Sequence, residues 1–365
     1  MPPPEYFKPL HRQERNIRRI LQCFEYKFIN GFLEDKIYYP FIKNLVFSIL
    51  ILYWIIFSNK SSYLKSYYKE IVENSDIVFF AGGGIFQQFY MKMWAGILNI
   101  VNLCSRKNIP IYFNAIGIEK SQILVENLLY KYLLNKSVVK TITMREKFAY
   151  TKNLLFNKNK CFDVLDSGLW SSECYSVEKT NSDLIGIGVI RPNIFRDMGW
   201  NTNEEEVLAL YIRIIKELDK QNYNWELFAN GNNEDNADYK FGKKILEVLN
   251  LPSEKLAVYP KTQKDLLNIV KRYKAIIAAR LHSNIVASSL GIPNVGLVWN
   301  VKLLDFAQKM GFDWEYIKPE KFEDSEYIIS QLKMAIENGI DIEHLNKMKI
   351  ETIEILETNL LKLLS

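Results

Sequence analysis

The sequence predicts an α/β protein of two doubly wound domains, each a parallel sheet wrapped by helices. Three observations carry this. From residue 76 short apolar runs alternate with longer amphipathic stretches, as in βαβ units. Near residues 171–183, SSECYSVEKTNSD, the apolar periodicity lapses into small and polar residues, and the alternation then restarts. Finally, 365 residues exceed what one hydrophobic core usually holds.

In the first half the expected strands are Asp76 to Ala81, Ile109 to Ile116, Thr141 to Met144 and Cys161 to Leu165. Trp94 to Lys107 and Ile123 to Leu134 lie between them, with apolar residues at helical spacing. The second half offers strands at Leu184 to Ile190, Trp225 to Ala229, Leu256 to Tyr259, Ala275 to Ala279 and Asn294 to Val298. Helices are expected at Glu204 to Lys220, Ala237 to Leu249, Gln263 to Tyr273, Ser283 to Leu290 and Lys302 to Met310. The reading gives a first domain over residues 1–172, a second over 183–320, and C-terminal helices over 321–365 packing back on the first domain. Residues 1–75 are helix-like, basic and aromatic, with no opening strand.

Apolar residues make up 48% of the chain and charged ones 24%, the balance of an ordinary folded protein. The net charge of +5 is not gathered into a long basic block, which argues against nucleic acid and leaves a small anion or an anionic membrane face. Cys23, Cys104, Cys161 and Cys174 are far apart, with no CxxC pair, and read as reduced thiols of a cytoplasmic protein. The start, MPPPEYFKPLHRQER, lacks the layout of a secretory signal, in keeping with that location. Residues 41–57, FIKNLVFSILILYWIIF, are apolar from Leu45 onward but shorter than the roughly 20 residues a span needs. A helix packed on protein, or one in peripheral contact with a membrane surface, is expected there.

Three motifs carry chemistry. Ala81-Gly82-Gly83-Gly84 follows the apolar strand DIVFF, where successive glycines let the backbone approach a ligand. No GK[ST] follows, so it is not a P-loop, and a tight turn without ligand contact is the alternative. Arg280-Leu281-His282 ends the strand AIIAA where an apolar helix begins, placing a cation and an imidazole at a helix N-terminus suited to an anion. The alternative there is a histidine bracing the turn. The strand GIGVI ends in Arg191, and TITM ends in Arg145. Guanidinium groups at strand ends suit carboxylate or phosphate, or a neighbouring acid; for Arg145 the simpler reading is a salt bridge to Glu146 or Asp163. His11, His282 and His344 are scattered, and neither HExxH nor GxSxG occurs, so no metal and no cofactor are expected.

Taken together these residues resemble the polysaccharide pyruvyl transferase family. The strongest part is Ala278 to Gly311, AARLHSNIVASSLGIPNVGLVWNVKLLDFAQKMG; AGGGIF, TMREKFAYTKNLL and VLDSGLW match more loosely. The resemblance covers about residues 76–315. It implies two facing Rossmann-like domains similar to GT-B glycosyltransferases, with the active site in the cleft. It implies His282 as the catalytic residue and Arg191, Arg280 and Lys302 as cations for phosphoenolpyruvate. The cleft loop Gly82 to Gly84 and Arg145 would face them. The acceptor would be a sugar that is nucleotide-linked, lipid-linked or part of a polymer. Two other readings stand beside it: a GT-B glycosyltransferase using a nucleotide sugar, and a non-catalytic binding protein of the same fold apposed to a membrane.

Overall fold

The computed structural model describes residues 69–70, 72–86, 91–121, 123–192, 194–195, 202–231, 236–312 and 314–364. The apolar segment 41–57 and His11 lie outside the described residues. Two parallel four-stranded sheets form the frame, as two facing Rossmann-like, GT-B-like domains.

The first sheet runs β1 (Val78–Ala81), β2 (Ile111–Ile116), β3 (Val139–Met144) and β4 (Cys161–Asp163), each strand hydrogen-bonded to the next in sequence. Three helices make the connections: α1 (Met91–Lys107), α2 (Leu124–Leu134) and α3 (Phe148–Leu154). A sheet whose order follows the sequence, with right-handed crossovers, carries these helices on one face. Their inward side chains, among them Val101, Tyr130 and Leu133, close over Ile111, Phe113 and Ile142. Cys104 and Cys161 are in this core, and burial pushes their thiols up to about 11 and about 12, far from the reactive thiolate range.

From β4 the chain passes through a short turn and α4 (Ser171–Tyr175) into the second sheet, built of β5 (Ile185–Gly188), β6 (Trp225–Phe228), β7 (Ala275–Ala278) and β8 (Asn294–Gly296). Here the spatial order is β6-β5-β7-β8. The helices are α5 (Glu204–Lys220), α6 (Ala237–Leu249), α7 (Gln263–Val270), α8 (Leu281–Ser289) and α9 (Val301–Met310). α5 begins at a capping box of Asn203 and Glu206, and α7 at one of Thr262 and Asp265. The expected strand over 256–259 is absent: Leu256 makes only an isolated bridge to Leu227 after a 3-10 turn over Ser253–Lys255. Four residues of strand-like composition at the sheet's edge gain one pairing, too little for a strand.

The two C-terminal helices divide between the domains. α10 (Ser325–Asn338) packs on the second sheet and on α5, with Ile328, Ile329 and Leu332 in that core. α11 (Ile342–Leu364) starts there through Leu345 and runs back to the first domain's exit. Thr352 Oγ1 accepts from Leu165 N at 3.2 Å, and Lys349 pairs with Glu173. No helix among the described residues is long and apolar enough to cross a membrane.

Candidate active site

In a doubly wound sheet ligands gather outside the carboxyl ends of the strands, at the point where the direction of winding reverses. In the second sheet this point lies between β5 and β7: the chain leaves β5 toward β6 on one side and returns to β7 on the other. Arg191 follows β5, and Arg280 and His282 follow β7.

Asp238, in the first turn of α6, draws these two loops together. Its side chain is fully buried and accepts from Arg280 Nε at 2.8 Å, Arg280 Nη2 at 2.9 Å and the backbone N of Arg191 at 3.0 Å. The guanidinium of Arg280 is thus bound in a fork by a carboxylate, while its outer part is partly open to the cleft. Asp238 escaped the sequence reading. It sits in a polar loop-to-helix stretch, NNEDNADY, where one acid among several carries no signal of burial.

His282 is the second residue of α8, whose first turn has no side-chain cap; Ser283 N donates to Arg280 O at 3.1 Å, which leaves the first two N–H groups, of Leu281 and His282, to an anion. Behind it the turn is fixed by Asn284, whose Nδ2 donates to Ala278 O at 3.1 Å and Arg280 O at 2.9 Å, and by Ser283, bonded to Asn230. The imidazole is crowded by protein yet accessible to solvent from the cleft. That enclosure lowers its pKa. Arg145, Arg280 and Lys302 push the same way, and Asp166 opposes them.

The opposing wall comes from the first domain. Gly82 and Gly83 take φ of +61° and +79°, a backbone path that only glycine follows without strain. The loop is tied to the strand beside it: Gly82 N donates to Asn114 O and Gly117 N to Gly83 O, both at 2.8 Å. Gly82 faces Ser167, since a Cβ added to it would lie 3.7 Å from Ser167 Oγ. Gly168 in turn abuts the helix of His282: a Cβ there would lie 2.9 Å from Ile285 Cγ2. Glycine loop, residues 166–168 and α8 therefore form one continuous boundary.

Arg145 pairs with neither Glu146 nor Asp163. Its Nη1 meets Asp166 Oδ2 at 2.5 Å with both side chains nearly buried, whereas Asp163 is taken by Lys309. The reason is local: Asp166 accepts from Gly168 N at 2.8 Å as the cap of a 3-10 turn, which aims its second oxygen at the end of β3. Lys302 reaches across the cleft to Glu119 Oε1 at 2.8 Å and lies 3.6 Å from Glu146 Oε1. Burial raises the Glu146 pKa, with Lys302 and Arg145 working against it. Lys147 to Asp305 at 3.3 Å and Lys309 to Arg145 O at 3.1 Å add further ties between the domains. Of the residues singled out in the sequence, His282 and Arg280 stand on the second domain's wall within the field of Arg145 of the first, with Lys302 bridging the two domains and Arg191 joined to Arg280 through Asp238.

Comparison with known proteins agrees with this architecture. The UDP-GlcNAc 2-epimerase from Neisseria meningitidis bound to UDP-GlcNAc superposes with a TM-score of 0.51 at 13% identity, covering 80% of each chain. A putative UDP-N-acetylglucosamine 2-epimerase from Listeria monocytogenes gives 0.51 at 11% identity, over 74% of this chain and 70% of that one. At such identities the likeness is one of fold. No curated protein matches the sequence. The family described as polysaccharide pyruvyl transferase matches residues 22–301, which include both sheets, the glycine loop and His282 and end one residue before Lys302, and the chain belongs to that family.

Proposed function

We propose that the protein transfers the three-carbon unit of phosphoenolpyruvate, as a ketal, onto a sugar of a surface polysaccharide or its precursor, with release of inorganic phosphate. The observation that carries this reading is His282 at the uncapped N-terminus of α8, at a topological switch point and within the field of three cations. A donor with a carboxylate and a phosphate needs such a field, and the methylene carbon of an enol phosphate needs a proton donor. We place the chemistry in the cytoplasm, where this donor is made.

Enclosure, with the surrounding cations, holds the imidazole toward its neutral form. Bringing in the anionic donor offsets the surrounding cations and favours the imidazolium. His282 then gives its proton to the methylene carbon, leaving an oxocarbenium-like centre bearing a methyl group. One sugar hydroxyl adds there and returns a proton to His282. A second hydroxyl displaces phosphate, which leaves with the remaining proton, and the ketal closes. Arg191 and the cleft side of Arg280 are assigned to the donor's anionic groups. Lys302, held by Glu119, is assigned to the rim where donor and acceptor meet.

The test incubates the purified full-length chain with phosphoenolpyruvate and a panel of nucleotide-linked, lipid-linked and polymeric sugars, UDP-linked ones included, following phosphate release and product mass. A product heavier by one pyruvyl ketal is expected from at least one acceptor. Release of a nucleoside diphosphate from a nucleotide sugar, with phosphoenolpyruvate untouched, would replace this reading with glycosyl transfer.

A further inference from the structure

A helix laid on a sheet turns its polar side to solvent. α2 departs from this. Its outward positions Leu124, Leu128 and Tyr132, spaced four residues apart, are 67%, 56% and 49% exposed, and Phe156, in the turn after α3, is 79% exposed. The two elements are joined: Tyr150 OH donates to Asn127 Oδ1 at 2.9 Å, Asn135 Nδ2 to Leu154 O at 2.8 Å, and Phe156 N to Asn135 Oδ1 at 2.7 Å. These apolar side chains share one face of the first domain.

Its charge has one sign. Between Lys120 and Lys160 inclusive the sequence carries eight lysines and one arginine against two acids, Glu126 and Glu146, and both acids are buried. Some of the cations are used internally: Lys160 caps Leu134 O and Val139 O, Lys147 meets Asp305, and Arg145 meets Asp166. Others stand over the apolar face. Lys131 lies 5.1 Å from the Phe156 ring, Lys136 4.0 Å from Tyr132 and Lys152 5.1 Å from Phe148. Leucines and aromatics ringed by lysines, with no exposed carboxylate in the stretch, complement an anionic lipid surface.

We propose that α2 and the turn after α3 dock this protein on an anionic phospholipid bilayer, the apolar side chains entering the headgroup boundary and the lysines meeting phosphates. α2 starts just beyond Glu119, at the carboxyl end of β2, so docking holds the cleft rim close to the bilayer. If the proposed function holds, this favours the lipid-linked form of acceptor; the docking itself does not depend on that function.

The experiment is vesicle flotation of the full-length protein with phosphatidylglycerol–phosphatidylcholine mixtures and with phosphatidylcholine alone. Binding is expected to the anionic vesicles only, weakening as salt screens the lysines. Lys131→Gln and Lys136→Gln should each lower partitioning about 5-fold. Leu124→Ser/Leu128→Ser/Phe156→Ser should lower it about 10-fold or more. All replace exposed or half-exposed side chains, and unchanged thermal unfolding confirms that each variant is folded. The proposal is overturned if wild-type protein does not float with anionic vesicles, or if both sets of variants float like wild type, in which case residues 41–57 carry the attachment. It is also overturned if the leucine variant abolishes self-association in sedimentation while no form binds vesicles, which makes the face a contact between copies.

Discussion

Replacing Asp238 by alanine tests whether the two basic loops of the second domain depend on one buried carboxylate. The substitution removes the acceptor of three hydrogen bonds, two of them from a guanidinium, and leaves Arg280 largely enclosed without its counter-charge. Removing one partner of a buried ion pair costs about 3–5 kcal/mol. Arg280 has an outlet to the cleft, which places the expected loss near the lower end, about 3 kcal/mol. At about 2–4 °C per kcal/mol for a domain of this size, melting should fall by roughly 6–12 °C. Asp238→Asn keeps the shape and one acceptor oxygen and should lose about half as much. Urea titration followed by far-ultraviolet circular dichroism measures both, and a shifted midpoint at constant slope reports stability alone. A loss below about 0.5 kcal/mol for the alanine variant would mean that solvent replaces the carboxylate, and the clamp would have no structural role.

Other consequences can be checked with the same protein. His282→Ala should cut kcat about 10²- to 10⁴-fold while phosphoenolpyruvate still binds in equilibrium dialysis; near-normal turnover by a folded variant would remove the catalytic assignment. Asp166→Asn takes away the charge that holds the His282 pKa up, so the pH profile of kcat should shift its histidine limb to lower pH; an unmoved limb refutes the coupling. Gly117→Ala would place a Cβ 1.9 Å from Glu146 Oε1 and displace a buried carboxylate, costing about 1–3 kcal/mol. Glu146→Ala in the same chain should relieve part of that loss, and simple additivity in the double-variant cycle would disprove the contact.

The doubly wound pattern was legible because buried parallel strands are short apolar runs and their crossover helices keep a 3.6-residue period. Glu204–Lys220 and Ala237–Leu249 fall where the sequence placed them. Leu256 to Tyr259 misled because composition reports burial, whereas a strand also needs a neighbour along its length. Arg-Leu-His was legible as a polar triplet between a strand and a helix. Its supports were not: Asp238 lies 42 residues away in sequence from Arg280, and the pairing depends on where β7 inserts in the sheet. The same holds for Arg145, where sequence proximity pointed to Glu146 and the fold supplied Asp166. Ion pairs between loops distant in sequence are properties of topology, and local pattern does not encode them.

That topology bears on how the site would work. His282 belongs to the second domain, yet the charge that opposes its loss of basicity, Asp166, belongs to the first, as does Arg145, which acts against it. Lys302 leaves the second domain to rest on Glu119 and Glu146 of the first. The proton affinity of the imidazole is therefore set by residues of both domains at once. Because the two charges are opposite and paired, their combined field is weaker than either alone and falls off quickly with distance. On the proposed reading, the donor's own anionic charge is then the largest change the histidine experiences on binding. The acid is thus armed chiefly by the substrate it is to protonate, because Arg145 cancels much of the charge with which Asp166 favours the imidazolium.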